Sequence, residues 1–215
     1  LHLRYWTGWL LTLALVLLSG CHGEHEKGSE EQATRFHLFR HIDGQLNQSR
    51  YPFTLSVHSL RFNGKQQGVN WFLESQDPDG EKRIRIRKEG NTIFLSRGKQ
   101  AEKLKTRQFG LLSPRDHLLL IKSTVLRIQP LPENKKGLIG VQAVLSSEEI
   151  GDRLGAWMGE GFEQGAANQA SRKFRIRYHM WYRPNQDGLS ILRMGIYPQV
   201  KGQPGEKMIY HFGKP

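Results

Sequence analysis

Apolar and polar side chains alternate one by one along most of this chain, and that period of two restricts its fold more than any other feature. Successive side chains of a strand point to opposite faces, so alternation predicts strands with one buried and one solvated face. Phe53, Leu55 and Val57 alternate with Thr54, Ser56 and His58, and Asn63-Gly64 then reads as a turn. Val69, Trp71 and Leu73 follow, ending at Asp77-Pro78-Asp79-Gly80. Ile84 and Ile86 alternate with Arg83, Arg85 and Arg87 before Glu89-Gly90-Asn91, and Ile93 and Leu95 form the next apolar pair. Arg97–Arg107 reads as a basic loop, and His117–Ile128 and Leu138–Leu145 as two longer strands around Pro130-Leu131-Pro132. Near the C-terminus, Phe174, Ile176, Tyr178, Met180 and Tyr182 face one way, with Lys173, Arg175, Arg177 and His179 opposite. Leu189–Tyr197 and Lys207–Phe212 complete about eight strands joined by tight polar turns, an antiparallel meander.

One long helix interrupts them. Ser146-Ser147-Glu148-Glu149 is a capping-box pattern, and Ile150, Leu154, Trp157, Met158 and Phe162 recur at helical spacing. Gly151, Gly155 and Gly159 lie four apart on nearly one face, each costing about 1 kcal/mol of helix propensity relative to Ala. Three in register point to a closely packed strand or helix, or to a dimerising or membrane-inserting face, although Asp152, Arg153, Glu160 and Glu163 argue against insertion. Arg35–Leu46 is ambiguous, because Phe36, Phe39, Ile42 and Leu46 fit a helical face only until Gly44. The expected fold is therefore α+β, a curved antiparallel sheet of about eight strands packed on one long helix near Ser147–Ser171. This arrangement resembles the half-barrel of periplasmic lipoprotein carriers and their outer-membrane receptor, although no sequence motif of those families is present in the body.

A length of 215 residues permits one ordinary domain, and an apolar fraction of 37% is enough for a core. The single cysteine excludes an intramolecular disulfide and a Cys-based zinc cage. That cysteine has a particular setting. Arg4 is followed by the apolar run Trp6–Leu18 and then by Leu18-Ser19-Gly20-Cys21. The run is shorter than the roughly 18 residues expected of a spanning helix. These residues resemble the signal of bacterial lipoprotein precursors, whose lipobox reads Leu, two small residues and Cys. The resemblance covers only residues 1–21. It implies cleavage of a signal peptide at 1–20 and a diacylglyceryl, N-acylated (palmitate-type) Cys21 held in a membrane, since two or more acyl chains anchor stably. An uncleaved anchor with an incidental Cys21 is the competing reading. Because His22 rather than Asp follows the cysteine, the outer membrane, facing the periplasm, is the expected location.

Residues 22–34 carry four glutamates against one lysine and no large apolar side chain, which predicts a flexible acidic tether after Cys21. Such a tether spans roughly 20 Å. A single β-rich domain is expected over residues 35–215. Beyond residue 34 the chain holds 30 basic and 16 acidic residues, a body near +14.

No G-x-S-x-G, H-E-x-x-H, Walker loop or dinucleotide fingerprint is present. His37 and His41 are four apart without a third ligand, and Asp43, His58, Asp116 and His117 have no spacing that demands a triad. His22 and His25 likewise lack further ligands at fixed spacing. The chain is expected to be non-catalytic, with no cofactor and no metal.

The basic strands carry more information. Arg83, Arg85 and Arg87 project from one side of a strand, and Arg175 and Arg177 do so from another, at intervals of roughly 7 Å. A single such stripe is commonly a solvated face. Two stripes and the Lys99–Arg107 loop suggest an anion-binding face. Nucleic acid is disfavoured by location, and because Tyr178 and Tyr182 lie on the apolar side of their strand. The leading expectation is an envelope lipoprotein that binds a lipid or anionic amphiphile on the apolar face, with these arginines at its rim. The alternative is an accessory lipoprotein that docks an envelope protein complex or cell-wall polymer through the basic face.

Overall fold

The computed structural model describes residues 22–75, 83–105, 113–132, 137–145, 174–198 and 206–213. The chain divides into two compact units, residues 1–37 and 38–215. Helix α1, His22–Asn47, crosses that boundary. Within the larger unit the strands are β1 (Arg50–Val57), β2 (Leu60–Gln67), β3 (Asn70–Ser75), β4 (Ile84–Glu89), β5 (Thr92–Arg97) and β6 (Gln100–Lys105). Helix α2 (Pro114–Thr124) follows, and then β7 (Val125–Pro130), β8 (Ile139–Leu145), β9 (Phe174–Tyr182), β10 (Ile191–Pro198) and β11 (Glu206–Phe212).

All eleven strands form one curved sheet, in the order β6-β5-β4-β3-β2-β1-β11-β10-β9-β8-β7. Every pairing is antiparallel. Two meanders are thus joined at the middle, where β1 pairs with β11, with Phe53 opposite Phe212 and Leu55 opposite Tyr210. Among the described residues β6 and β7 stand at opposite edges, so the described sheet is open.

The period of two sets the two faces. Leu55, Leu73, Ile86 and Ile93 from one half and Val141, Met180, Leu192 and Tyr210 from the other are buried on the inner face. Burying each large apolar side chain contributes about 1.5–3 kcal/mol. Helix α2 packs on this face: its Leu118 and Ile121 are fully buried, and Lys88 of β4 reaches Asp116 at 3.9 Å. Lys122 pairs with Asp43 of α1, and Arg115 donates to the Leu46 carbonyl at 2.8 Å. Leu38 and Ile42 of α1 complete the buried cluster.

Several expectations are corrected. Among the described residues the sheet has eleven strands rather than about eight, and two helices are described where one was expected. Asn63-Gly64 is no turn but the middle of β2; the chain reverses at His58, whose φ is 53°. Gly64 is required there because the Phe53 ring lies where its Cβ would stand, with Leu73 Cδ2 at 2.9 Å. The supposed basic loop holds β6, an edge strand whose lysines protect its unpaired side.

His117–Ile128 is not one strand. Ser113 caps α2 by accepting from the Asp116 amide at 3.1 Å, while the Asp116 carboxylate accepts from the Ser113 amide at 3.2 Å. With Pro114 at the first position, this closes a helix before β7 begins. Residues 22–34 belong to α1 instead of a flexible tether, for Glu, Gln, Ala and Lys favour helix even with nothing to bury. The helix continues past Gly44, whose bare Cα admits the Asp187-Gly188 turn: a Cβ would stand 3.1 Å from the Gly188 nitrogen. The expected helix Ser147–Ser171, with Gly151, Gly155 and Gly159, lies outside the described residues, as does Cys21.

Candidate functional site

Three groups of residues could carry chemistry or binding, and the fold separates them. The first is internal. His117 of α2 is fully buried; its Nδ1 lies 2.8 Å from the Tyr178 hydroxyl and its Nε2 3.1 Å from that of Tyr210. Tyr178 also meets Met194 Sδ at 3.3 Å. Burial pushes the imidazole down to about 3 and both phenols upward. A neutral imidazole can donate from one nitrogen and accept at the other, so it satisfies one hydroxyl in each sense.

The residues that could be assembled into a triad are otherwise employed. Asp116 closes the cap of α2, Asp43 pairs with Lys122, and His58 occupies a turn. His41 stacks on Tyr182 with ring centroids 4.1 Å apart, and burial lowers its pKa. Among the described residues, no three His, Cys, Asp or Glu side chains converge on a metal position.

The second group is the arginine stripe of β4. Arg85 and Arg87 are cross-strand partners of Glu74, Phe72, Ser96 and Phe94, all on the face away from α2. They therefore do not border the inner apolar face, and the expectation that they rim a cavity there is corrected: alternation sends them outward once Ile84 and Ile86 point in. Glu74 Oε1 takes both Arg83 Nε at 2.9 Å and Arg85 Nε at 2.7 Å. Arg87 stacks 4.9 Å over the Phe94 ring and reaches Glu89 at 3.4 Å. Phe72, Phe94, Arg85, Arg87 and Lys103 line an outward groove of about 440 Å³.

The third group lies on the same outward side of β8–β11. Arg177 is opposite Gly195 of β10, which is opposite Lys207 of β11. One row along, His179 stands between Gln142 and Arg193. His179 Nε2 donates to Gln142 Oε1 at 2.9 Å, and Arg193 stacks 5.6 Å over Trp181. Arg177 lies 5.5 Å over Tyr197. Burial, then the charges of Arg193 and Arg177, lower the His179 pKa. Arg175 belongs to β9, but its side chain lies outside the described set. Arg193 and Lys207 were missed in the sequence because each stands singly in its strand; only cross-strand register places them beside Arg177 and His179.

The fold so defined is an open antiparallel sheet with a helix on its apolar face. No family model and no curated protein matches the sequence. Among solved structures, the fold is similar to that of the Mycobacterium tuberculosis lipoprotein LppX, with a TM-score of 0.55 and 9% identity, covering 86% of this chain and 95% of that one. Weaker likenesses are to LprF from Mycobacterium bovis and a LolA superfamily protein from Nitrosomonas europaea. The first has a TM-score of 0.47 and 10% identity, covering 85% of this chain and 92% of that one. The second has a TM-score of 0.34 and 10% identity, covering 84% of this chain and 91% of that one. The likeness to LppX, at this identity, is one of fold.

Proposed function

We propose that this chain is a non-catalytic bacterial envelope lipoprotein, anchored through Cys21, that binds the apolar part of a lipid or other amphiphile against the inner face of its sheet. The observation that carries this reading is the breadth of that face. Eleven strands at about 4.8 Å spacing extend over roughly 50 Å, whereas the eleven residues of α2 make a rod only about 16 Å long. The face extends beyond α2 and the Leu38–Ile42 stretch of α1, and Val57, Leu95, Ile176, Ile196 and Met208 on it are only partly buried; the similar fold of a lipoprotein is consistent with an envelope role. Anchoring in the outer membrane, facing the periplasm, follows from the Leu18–Cys21 lipobox and from His22.

Native mass spectrometry of the full chain released from detergent tests the proposal. A non-covalent amphiphile, distinct in mass from the acyl groups on Cys21, is the expected result; a chain free of such mass contradicts it.

A second reading has its own observation. Arg83, Arg85 and Arg87 lie outward, where they suit docking of an anionic envelope partner or cell-wall polymer. Reversing their charges should then abolish salt-sensitive capture of the partner while leaving bound lipid unchanged.

A further inference from the structure

Among the described residues, the outward face of β9–β11 concentrates cations without carboxylates paired to them as on the β4 stripe. Glu74 and Glu89 absorb Arg83, Arg85 and Arg87. Arg177, Arg193 and Lys207 form no ion pair among the described residues, and strands β7–β11 contain a single acidic residue, Glu206, at the very start of β11. Arg177, Arg193 and Lys207 place three permanent positive charges in two neighbouring rows of β9, β10 and β11, where they repel one another. Arg193 adds a second observation: its Nε is buried and hydrogen-bonds to nothing in the described structure.

We infer that Arg177, His179, Arg193 and Lys207 form a binding site for a phosphate-type oxyanion. Two guanidinium groups offer planar forks that match phosphate oxygens in pairs, and an ammonium adds a point charge beside them. Gly195 lies between Arg177 and Lys207, and its Cβ position is already filled by the Tyr197 ring, 2.6 Å away at Cε2. The site thus has an aromatic floor flanked by cations. A ligand with more than one negative charge matches three permanent cations better than a single carboxylate does. This inference deepens the reading of the outward face as anion-binding and is independent of lipid on the inner face. The phosphate could be free or carried by a phospholipid headgroup.

His179 is the reporter. The groups that face it are Arg177 on its own strand, Arg193 on β10, and Gln142 on β8, with Trp181 at its edge. In the full chain, reconstituted in phosphatidylcholine vesicles, its imidazole carbon resonance is followed against pH while inorganic phosphate is titrated. A parallel sample replaces part of the lipid with phosphatidic acid. Bound phosphate neutralises the two arginines and should raise the His179 pKa by about 1. A response to inorganic phosphate identifies a free-phosphate site; a response only to phosphatidic acid identifies a headgroup site.

Arg177→Gln with Lys207→Gln should weaken the response about tenfold in concentration, whereas Arg85→Gln should leave it unchanged. Arg193→Gln is a further variant, but Arg193 packs on Trp181, so the exposed Arg177 and Lys207 pair decides the matter if it misfolds. No shift in either sample overturns the site. A shift that chloride reproduces, or that Arg85→Gln weakens equally, also overturns it in favour of diffuse charge. Because the bound amphiphile is read separately by mass, failure here leaves the inner-face proposal standing.

Discussion

His117 Nδ1 lies 2.8 Å from the Tyr178 hydroxyl, and both side chains are fully buried between α2 and the sheet. Replacing His117 with Phe keeps a ring there but removes the imidazole hydrogen bond from each of two buried phenols. The expected cost is about 2–4 kcal/mol, read as a lower urea midpoint at unchanged slope.

The same histidine makes stability depend on pH. Its pKa in the folded protein is about 3 against 6.5 for the ordinary side chain. The unfolded chain therefore binds the extra proton between these values, and stability must fall as pH drops from 6.5 towards 3. Above 6.5 the contribution of neutral burial is fully present. His117→Phe should remove this part of the slope in urea titrations run across that range.

Gly64 and Phe53 occupy one volume across β1 and β2. Gly64→Ala should destabilise by about 1–3 kcal/mol, as overpacking does. In a Phe53→Ala background the same substitution should cost much less. A double-mutant cycle showing simple additivity would contradict the close approach.

Glu74 holds two arginines at once, on the exposed side of the sheet. Glu74→Gln should change stability by less than about 1 kcal/mol. It should instead strengthen retention of the chain on immobilised polyphosphate, an effect that disappears at high salt.

Cys21→Ser should abolish labelling by radioactive palmitate and block maturation. Undiminished labelling would contradict the lipobox reading.

Alternation made most of the sheet legible, because it records which side chains share a face: β1, β3, β4, β5, β8, β9, β10 and β11 all correspond to runs visible in the sequence. It failed where local chemistry imitates something else. Asn63-Gly64 has the composition of a turn but serves the Phe53 ring. Leu118–Ile121 is an unbroken apolar run, equally suited to a buried strand, and only the Ser113–Asp116 cap marks it as helix. Lys103 and Lys105 suggest a loop but guard an edge. For the candidate sites, alternation separates two faces without saying which is covered, so Arg83, Arg85 and Arg87 were visible as a stripe but not as an outward one. Arg193 and His179 become neighbours only through the register of β9 and β10.

The most direct test of the central claim is where a lipid touches the protein. A phospholipid with a diazirine in its acyl chain, incubated with the full chain and activated by light, should label partly buried inner-face residues such as Val57, Ile176, Ile196 and Met208. Labelling confined to Phe72 and Phe94 on the outward side, or its absence from the sheet, would contradict an amphiphile held on the inner face.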